Sequence, residues 1–331
     1  MVLSSFARSI SSPFDSSPLA ACTDKGILEN VTVSQVLVII LVMLLWAICF
    51  PLIAAGIEFA PHLTFATLRA FLAGASLVAL AFLLGRPMPR GGRIWMILAA
   101  VGLGATTLGF FGMFHAAEFV TPGIATVIAN TQPLLAAILA SAFLGERIDL
   151  SGKVGLVLGF GGILLITAPQ LLAAPSDTYA IGVAYIILAA FGITVSNVLI
   201  KRIVGEVDAL MAMGFQMLIG GLPLLVMAWV YEEPLDIVWS SRFLFALIGL
   251  SLPGTALVFW LWFSILEKVP LNQAIAFSFL IPIFGLSMGV AFYNETIGWF
   301  ESGGIALTVL GIVFVNRTIR FRTIGSRQTD G

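Results

Sequence analysis

The sequence predicts an all-α membrane protein with ten transmembrane helices, arranged as two inverted five-helix repeats. Of its 331 residues, 60% are hydrophobic and 10% are charged, whereas about a quarter of the residues in a soluble domain are charged. The apolar residues form ten long runs, and the Lys and Arg residues between these runs alternate between two sides. The two halves of the chain also carry matching residues at a constant spacing.

The composition also excludes other classes of protein. A soluble enzyme or a disordered chain is excluded because a water-soluble fold of this length could not bury so much apolar surface. A nucleic-acid binder is excluded because the net charge is −1 and no basic cluster is large enough to neutralise many phosphates. The strands of a membrane barrel alternate apolar and polar residues, whereas these runs are continuous. The expected environment is therefore the lipid bilayer.

The first thirty residues differ from the rest of the chain. Residues 1–30 are polar and rich in Ser and Pro, which predicts a cytoplasmic tail. Cys22 ends a Leu-Ala-Ala-Cys stretch like that of a lipoprotein cleavage site. The residues before it are polar and include Asp15, so a signal peptidase would find no apolar region to recognise. We therefore do not expect lipidation at Cys22.

Ten apolar runs follow this tail, and each predicts one transmembrane helix, since a spanning helix needs ~20 mostly apolar residues. The runs lie at 33–55, 63–84, 94–116, 121–144, 152–167, 180–200, 209–230, 243–265, 271–292 and 298–316. A polar connection at 168–179 separates a first repeat at 31–167 from a second at 180–316. Residues 317–331 form a basic tail, which we expect to be cytoplasmic.

The distribution of basic residues predicts the orientation. With the N-terminal tail inside, 14 of the 16 Lys and Arg residues fall in inside segments. The outside loops hold only Arg242, and Arg69 lies within a span. Cytoplasmic loops are enriched in Lys and Arg, so both termini are expected on the cytoplasmic side of the inner membrane. One missed helix would destroy this sorting, which supports the count of ten.

An internal repeat divides the ten runs into five and five. Pro133 is followed thirteen residues later by Glu146, and Pro282 is followed thirteen residues later by Glu295, so both elements are 149 residues apart. Other matches at this offset are Arg93 with Arg242, Leu103 with Leu252, Thr106 with Thr255, Phe110 with Phe259, Phe114 with Phe263, Glu118 with Glu267, Val120 with Val269, Gly155 with Gly304, Leu158 with Leu307, and Gly162 with Gly311. An offset of 147 pairs Gly74 with Gly221 and Pro87 with Pro234.

The odd number of helices in each repeat has a mechanical consequence. After five helices the second repeat enters the membrane from the opposite side, so the repeats are inverted. Two such units can exchange conformations and so convert an inward-open cavity into an outward-open one, which is alternating access. A receptor or a membrane anchor has no need of this symmetry.

Several motifs carry a family resemblance. The Pro-to-Glu element leads to Leu-Gly-Glu-Arg in the first repeat and to Asn-Glu-Thr in the second. The remaining motifs are Trp46-Ala47 with Phe50, Thr67-Leu68-Arg69 with Ala73, Thr121-Pro122-Gly123-Ile124-Ala125, and the glycines 155, 162, 304 and 311. With these, residues 31–316 resemble the drug/metabolite transporter superfamily, in its ten-helix branch built from two EamA-type repeats.

This resemblance implies a secondary transporter of the bacterial inner membrane. Members commonly export amino acids, other metabolites or toxic compounds, and the fold fixes no substrate. We expect export of an amino acid or a related metabolite, with efflux of a drug or toxic compound as the alternative. A membrane-embedded enzyme or a channel would be a different class, and no catalytic constellation is evident in the sequence.

Candidate cavity residues lie near the middle of the spans, where inverted-repeat transporters bind their solutes. A proline removes one helix hydrogen bond, so Pro133 and Pro282 each predict either a partly free carbonyl for the solute or a structural kink. Asn130 and Gln132 are costly in hydrocarbon when unpaired, and they are expected to face the cavity or to bond a neighbouring helix. Asn197 and Gln216 have the same alternatives, with the bond between helices favoured.

Aromatic residues at similar depth are the next candidates. The sequence predicts either an aromatic cavity wall or a packed cluster for four of them: Trp46, Trp260, Trp262 and Phe110. Trp95, Trp239 and Trp299 lie near span ends and are expected to be interfacial anchors.

Two ionisable residues are candidates for gating or coupling. Arg69 is interpreted as a ligand for a solute carboxylate, as a side chain that extends to the membrane surface, or, preferably, as a partner of Glu58 or Glu118. His115 predicts either a titrating gate or, preferably, a hydrogen-bonded structural histidine. No Asp or Glu lies near the middle of any span, so the sequence identifies no carboxylate proton relay.

The remaining sequence features predict structure. Glu146 and Glu295 lie beside helix ends and are expected to stabilise those ends. The glycines 152, 155, 159 and 162 form one small-residue face, which predicts close helix packing, with a homodimer interface as the alternative. No ATP-binding loop and no metal-ligand motif is present, so no cofactor, metal ion or catalytic residue is predicted.

Overall fold

The computed structural model describes residues 33–120, 125, 129–144, 148–173, 177–293 and 298–316. Several predicted features lie outside the described residues. They are both terminal tails, residues 121–124 of the TPGIA motif, Glu146, Arg147, Asn294 and Glu295.

The described residues are helical and contain no strand. The helices are α1 (Val33–Ile57), α2 (His62–Leu83), α3 (Gly92–Val101), α4 (Gly109–Ala116), α5 (Gln132–Leu144), α6 (Leu150–Ala173), α7 (Asp177–Ile203), α8 (Ala209–Tyr231), α9 (Ser241–Ser251), α10 (Val258–Leu266), α11 (Leu271–Ala276), α12 (Leu280–Tyr293) and α13 (Trp299–Asn316).

Six helical stretches among the described residues are long and apolar enough to cross a membrane. They are Val33–Ile57, His62–Leu83, Gly92–Ala116, Ile181–Ile203, Ala209–Tyr231 and Ser241–Leu266. Four shorter apolar helices are Gln132–Leu144, Leu150–Leu165, Leu271–Gly285 and Ser302–Val315. The predicted all-α membrane fold is confirmed. The count of ten stays a prediction, because only six of the described stretches meet both the length and the composition of a span.

Contacts between the loops agree with the predicted alternation of sides. His62 Nδ1, at the start of α2, lies 2.9 Å from Glu118 Oε1, so the first and third connections meet at one end of the molecule. Arg93 Nη1 lies 2.7 Å from Glu206 Oε2, so the second and sixth connections meet at the other end. Which end faces the cytoplasm stays a prediction.

Each repeat contains one π-helical segment at the matching position. Gly102–Leu108 joins α3 to α4, and Leu252–Leu257 joins α9 to α10. The matched threonines Thr106 and Thr255 lie inside these segments and are completely buried. A π-helical turn inserts an extra residue into a helix and is often found at functional sites. The repeats therefore share a local irregularity as well as a helix order.

The last helices of the two repeats pack tightly through glycine. A Cβ atom on Gly155 of α6 would lie 2.6 Å from the carbonyl oxygen of Gly311, and one on Gly162 would lie 2.6 Å from that of Gly304. Gly155 matches Gly304 and Gly162 matches Gly311, so each contact is the image of the other. Such reciprocity indicates a pseudo-two-fold axis between α6 and α13. Packing within the chain is thus confirmed for this face, and the homodimer stays a prediction.

Candidate functional site

A partly open cavity lies between the two repeats, with about 750 Å³ of empty space that includes open solvent. Its walls come from both halves of the chain and from the middle of most spans. The lining residues are Trp46, Cys49, Phe50, Arg69, Ala105, Phe110, Met113, Ala129, Asn130, Gln132, Ile193, Asn197, Phe259, Ile275, Ser278 and Ile281. A ligand site at the interface of inverted repeats is the arrangement expected for a transporter.

The lining residues include pairs that occupy matching positions in the two repeats. At the 147 offset the pairs are Trp46 with Ile193 and Phe50 with Asn197; at the 149 offset they are Phe110 with Phe259, Ala129 with Ser278, and Gln132 with Ile281. The cavity therefore lies on the pseudo-two-fold axis that relates the repeats. The chemistry of the cavity is not symmetric, because the residues that match Asn197 and Gln132 in the other repeat are apolar.

Irregular backbone reaches the cavity from both repeats. A turn at Asn130 and Thr131 precedes α5, and a 3₁₀ turn at Phe277–Phe279 precedes α12. Pro133 and Pro282, which follow these turns, have no N–H to donate to the carbonyls of Ala129 and Ser278, four residues earlier. Both of those residues line the cavity. Non-helical backbone at membrane depth is tolerated where it lines a cavity or is enclosed by protein.

The guanidinium of Arg69 lies against the cavity and is enclosed by neutral groups. The residue is 2% exposed. Its Nε donates to Thr255 Oγ1 at 2.7 Å, and its Nη2 lies 3.8 Å from Cys49 Sγ. Its Cζ lies 4.2 Å from the ring centre of Phe110, which is within cation–π distance. Within the described part of the chain, Nη1 has no hydrogen-bond partner.

Gln216 is the counterpart of Arg69 in the second repeat, 147 residues later. Thr106 Oγ1 donates to Gln216 Oε1 at 2.9 Å. This bond corresponds to the one between Arg69 and Thr255, because each links a π-helical threonine to the long helix of the opposite repeat. The two polar pairs differ in exposure to the cavity: Arg69 lines it, whereas Gln216 is completely buried and is not among its lining residues.

Two sets of polar contacts connect α7 to α10 and to the residues that directly follow α10. Trp262 Nε1 donates to Asn197 Oδ1 at 2.9 Å. One turn further along α7, Lys201 Nζ donates to the carbonyl oxygens of Leu266 and Val269. The predicted bond between helices is therefore confirmed for Asn197, which also lines the cavity.

A titratable cluster lies at the other end of the molecule, away from the cavity lining. His62 Nε2 lies 3.1 Å from His115 Nδ1, and His62 Nδ1 lies 3.3 Å from Glu232 Oε1 and 2.9 Å from Glu118 Oε1. Glu232 also accepts hydrogen bonds from the backbone N–H groups of Leu63 and Thr64 at the start of α2. The cluster joins α2, α4 and α8 at this end.

Comparison with known proteins identifies the family. The model of the EamA-like transporter family matches residues 33–168 and, separately, residues 180–317. The chain belongs to the EamA-like transporter family. The resemblance to the drug/metabolite transporter superfamily is thereby confirmed, as is the presence of two EamA repeats.

Two relatives and one solved structure are similar to this EamA-like protein, and one of the relatives is a transporter by name. It is 31% identical over 259 residues to a WAT1-related chloroplast protein of Arabidopsis thaliana, which covers 76% of this chain and 62% of the plant protein. It is 32% identical over 271 residues to an uncharacterized transporter of Synechocystis, covering 76% and 80% of the two chains. A solved crystal structure matches with a TM-score of 0.73 over 87% of this chain and 98% of its own, at 20% identity, which shows a shared fold.

The cavity of this EamA-like protein brings together part of the set predicted from the sequence. Trp46, Arg69, Asn130, Gln132 and Asn197 line it. The other predicted residues are not among the lining residues: Pro133, Pro282, Trp260 and His115.

The reasons differ between these four. Pro133 and Pro282 are buried and follow the lining residues Gln132 and Ile281. Trp260 is half-buried against the apolar core, because its neighbour Phe259 takes the cavity-facing position on α10. His115 belongs to the titratable cluster.

Sequence reasoning missed two parts of the EamA-like architecture. It did not identify His62 and Glu232 as partners of His115, although His62 is the only other histidine in the chain. It also did not anticipate that Arg69 bonds Thr255 and Cys49; the ion pairs among the described residues link neither Glu58 nor Glu118 to Arg69. The match of Thr106 with Thr255 was the sequence feature that could have drawn attention to the π-helical segments.

Proposed function

We propose that this protein is a secondary transporter of the inner membrane, which carries a small organic solute by alternating access and exports an amino acid or a related metabolite. The observation that carries this proposal is the cavity lined by matching residues of two repeats. Membership of a family of transporters supports the general class. The positions of the basic residues in the sequence support cytoplasmic termini.

The difference between the two polar pairs supports the alternating mechanism. In the described conformation Arg69 lines the cavity and Gln216 is enclosed. If the repeats exchange conformations, the environment of each pair becomes that of the other, and the Gln216–Thr106 pair then lines the cavity.

The test is solute flux in proteoliposomes that contain the purified full chain. Amino acids, sugars and dyes are screened with and without a pH gradient, and correct folding is checked by size-exclusion chromatography. Flux that saturates with solute concentration supports carriage through a binding site. A folded protein that moves no solute overturns the proposal, and flux without saturation favours a channel.

Replacing Gln132 with alanine should reduce this flux. Its side chain lines the cavity, and loss of one hydrogen bond to a solute typically costs ~1 kcal/mol, which predicts roughly a fivefold weaker apparent affinity. Ile138→Ala is the matched control, since Ile138 lies on the same helix and is 66% exposed. Unchanged flux in Gln132→Ala would exclude a binding role for this amide. Loss of expression would assign it to packing.

A further inference from the structure

Among the described residues that line it, the cavity carries a positive charge without a compensating carboxylate. Arg69 is the only Lys or Arg in this described lining, and none of its residues is Asp or Glu. The ion pairs found among the described residues all lie elsewhere and involve His62, Arg86 and Arg93. The neighbouring segment 121–128 contains no acidic residue. The described partners of the guanidinium are a hydroxyl, a thiol and aromatic faces.

An arginine in these surroundings favours an anionic ligand. A buried charge without an opposite charge is unfavourable in an apolar environment. A guanidinium also presents five N–H donors in a planar array that matches a carboxylate, and Nη1 has no partner among the described residues. A bound carboxylate would neutralise the cavity and accept these donors.

The same charge balance disfavours a solute with an ammonium group. A zwitterion brings no net charge, so the cavity would remain positive after binding. Its ammonium would be offered only neutral oxygen acceptors, such as the amides of Asn130 and Gln132. A monoanion leaves the occupied cavity neutral, which is the less costly state at membrane depth.

The remaining walls favour an apolar body. The ring of Phe110 lies beside the guanidinium, and Trp46, Met113 and Phe259 form much of the rest of the wall. Trp46 and Phe259 already pack edge to face, with ring centres 6.3 Å apart. Aromatic rings of this kind favour offset or edge-to-face contact with a further ring.

We infer that the solute is an organic monoanion, with its carboxylate at Arg69 and an uncharged aromatic or apolar body against Trp46, Phe110 and Phe259. This inference rests on the proposed transport function and narrows its solute class. Among amino-acid-related metabolites, it selects those that lack the ammonium group.

Four compounds with the same phenyl body and different charges test this inference. They are 3-phenylpropionate, phenylalanine, 3-phenylpropylamine and 3-phenylpropanol. Binding to the wild-type full chain is measured in detergent micelles by tryptophan fluorescence, because the protonated acid crosses bilayers unaided. We expect 3-phenylpropionate to bind at least about tenfold more tightly than the amine and the alcohol, as a charge-assisted hydrogen bond provides. It should also bind more tightly than phenylalanine, whose ammonium finds no anionic partner among the described lining residues. Equal binding of all four, or tighter binding of phenylalanine or the amine, overturns the inference.

Variants of Arg69 test whether the selectivity comes from this residue. Arg69→Gln should weaken binding of 3-phenylpropionate to the level of 3-phenylpropanol and leave the alcohol unchanged, which a purely structural role would not do. Arg69→Lys should keep part of the preference. Arg93→Gln is the control, because Arg93 pairs with Glu206 in a half-exposed contact outside the cavity. Retention of the full preference in Arg69→Gln overturns the assignment; if that variant does not fold, the wild-type order decides.

The outcome is separable from that of the transport proposal. Saturable flux of a zwitterionic or cationic solute, together with no preference for 3-phenylpropionate, leaves transport standing and rejects the anion. Preferential binding of 3-phenylpropionate by a protein that moves no solute rejects transport and keeps the site.

Discussion

Leucine at position 155 or 162 should prevent this protein from accumulating in a folded form. A Cβ on Gly155 would lie 2.6 Å from both the Gly311 carbonyl oxygen and the Val315 nitrogen, and one on Gly162 would lie 2.6 Å from the Gly304 carbonyl oxygen. These are backbone atoms, which cannot move away as a flexible side chain can. Small residues allow membrane helices to approach this closely, and overpacking such a contact costs about 3 kcal/mol or more.

Gly161→Leu is the matched control for this prediction. Gly161 lies on the same helix next to Gly162, and a Cβ there would meet no atom within 4 Å. The measurement is the yield of monodisperse protein after detergent extraction, together with its thermal midpoint. Similar yields for Gly161→Leu and Gly162→Leu would show that contact between α6 and α13 does not limit folding.

Thr255→Val should lower the thermal stability more than any other change of a single hydroxyl in the cavity region. Thr255 is completely buried, and its hydroxyl accepts the Nε–H of Arg69 while it donates to the Leu250 carbonyl. Valine keeps the shape and removes the acceptor, so a buried charged donor loses its partner. We expect a loss of ~2–3 kcal/mol, the usual range for hydrogen bonds to charged groups.

Thr106→Val provides the comparison within the same molecule. Thr106 occupies the matching position in the first repeat and donates to the neutral amide of Gln216. Its loss should cost ~1 kcal/mol, since both partners are uncharged. Thermal midpoints of the two variants are measured side by side in one detergent. A larger shift for Thr106→Val would show that Arg69 does not depend on Thr255 for its stability.

The all-helical membrane class and the repeat could be predicted because both follow from patterns along the sequence. Neither requires knowledge of which residues are in contact. Long apolar runs indicate helices, and pairs such as Pro133 with Pro282 lie at a constant spacing. The same offsets identify matching positions such as Trp46 with Ile193. That five such pairs line one cavity required the structure, because a sequence offset does not say which helix faces point inward.

The partners of the polar residues could not be predicted for a related reason. Depth in the membrane follows from position along a span, so Glu118 was a reasonable partner for Arg69. Rotation about the helix axis does not follow from position, and the structure turns Glu118 toward His62 and Arg69 toward Thr255. The π-helical segments add a further shift, since one extra residue changes the face that every later side chain presents.

The unequal pair Arg69 and Gln216 has a thermodynamic consequence for a carrier. Under the proposed exchange of conformations, an anion would bind more tightly to the conformation whose cavity contains the guanidinium than to the one whose cavity contains the amide. By linkage, the anion then shifts the population toward the guanidinium conformation by the same factor as the ratio of the two affinities. The cycle of binding and conformational change is closed for any bias of the empty protein, so no net accumulation arises without an energy source. Unequal residues at matching positions thus make the conformational equilibrium of such a carrier depend on whether its solute is bound.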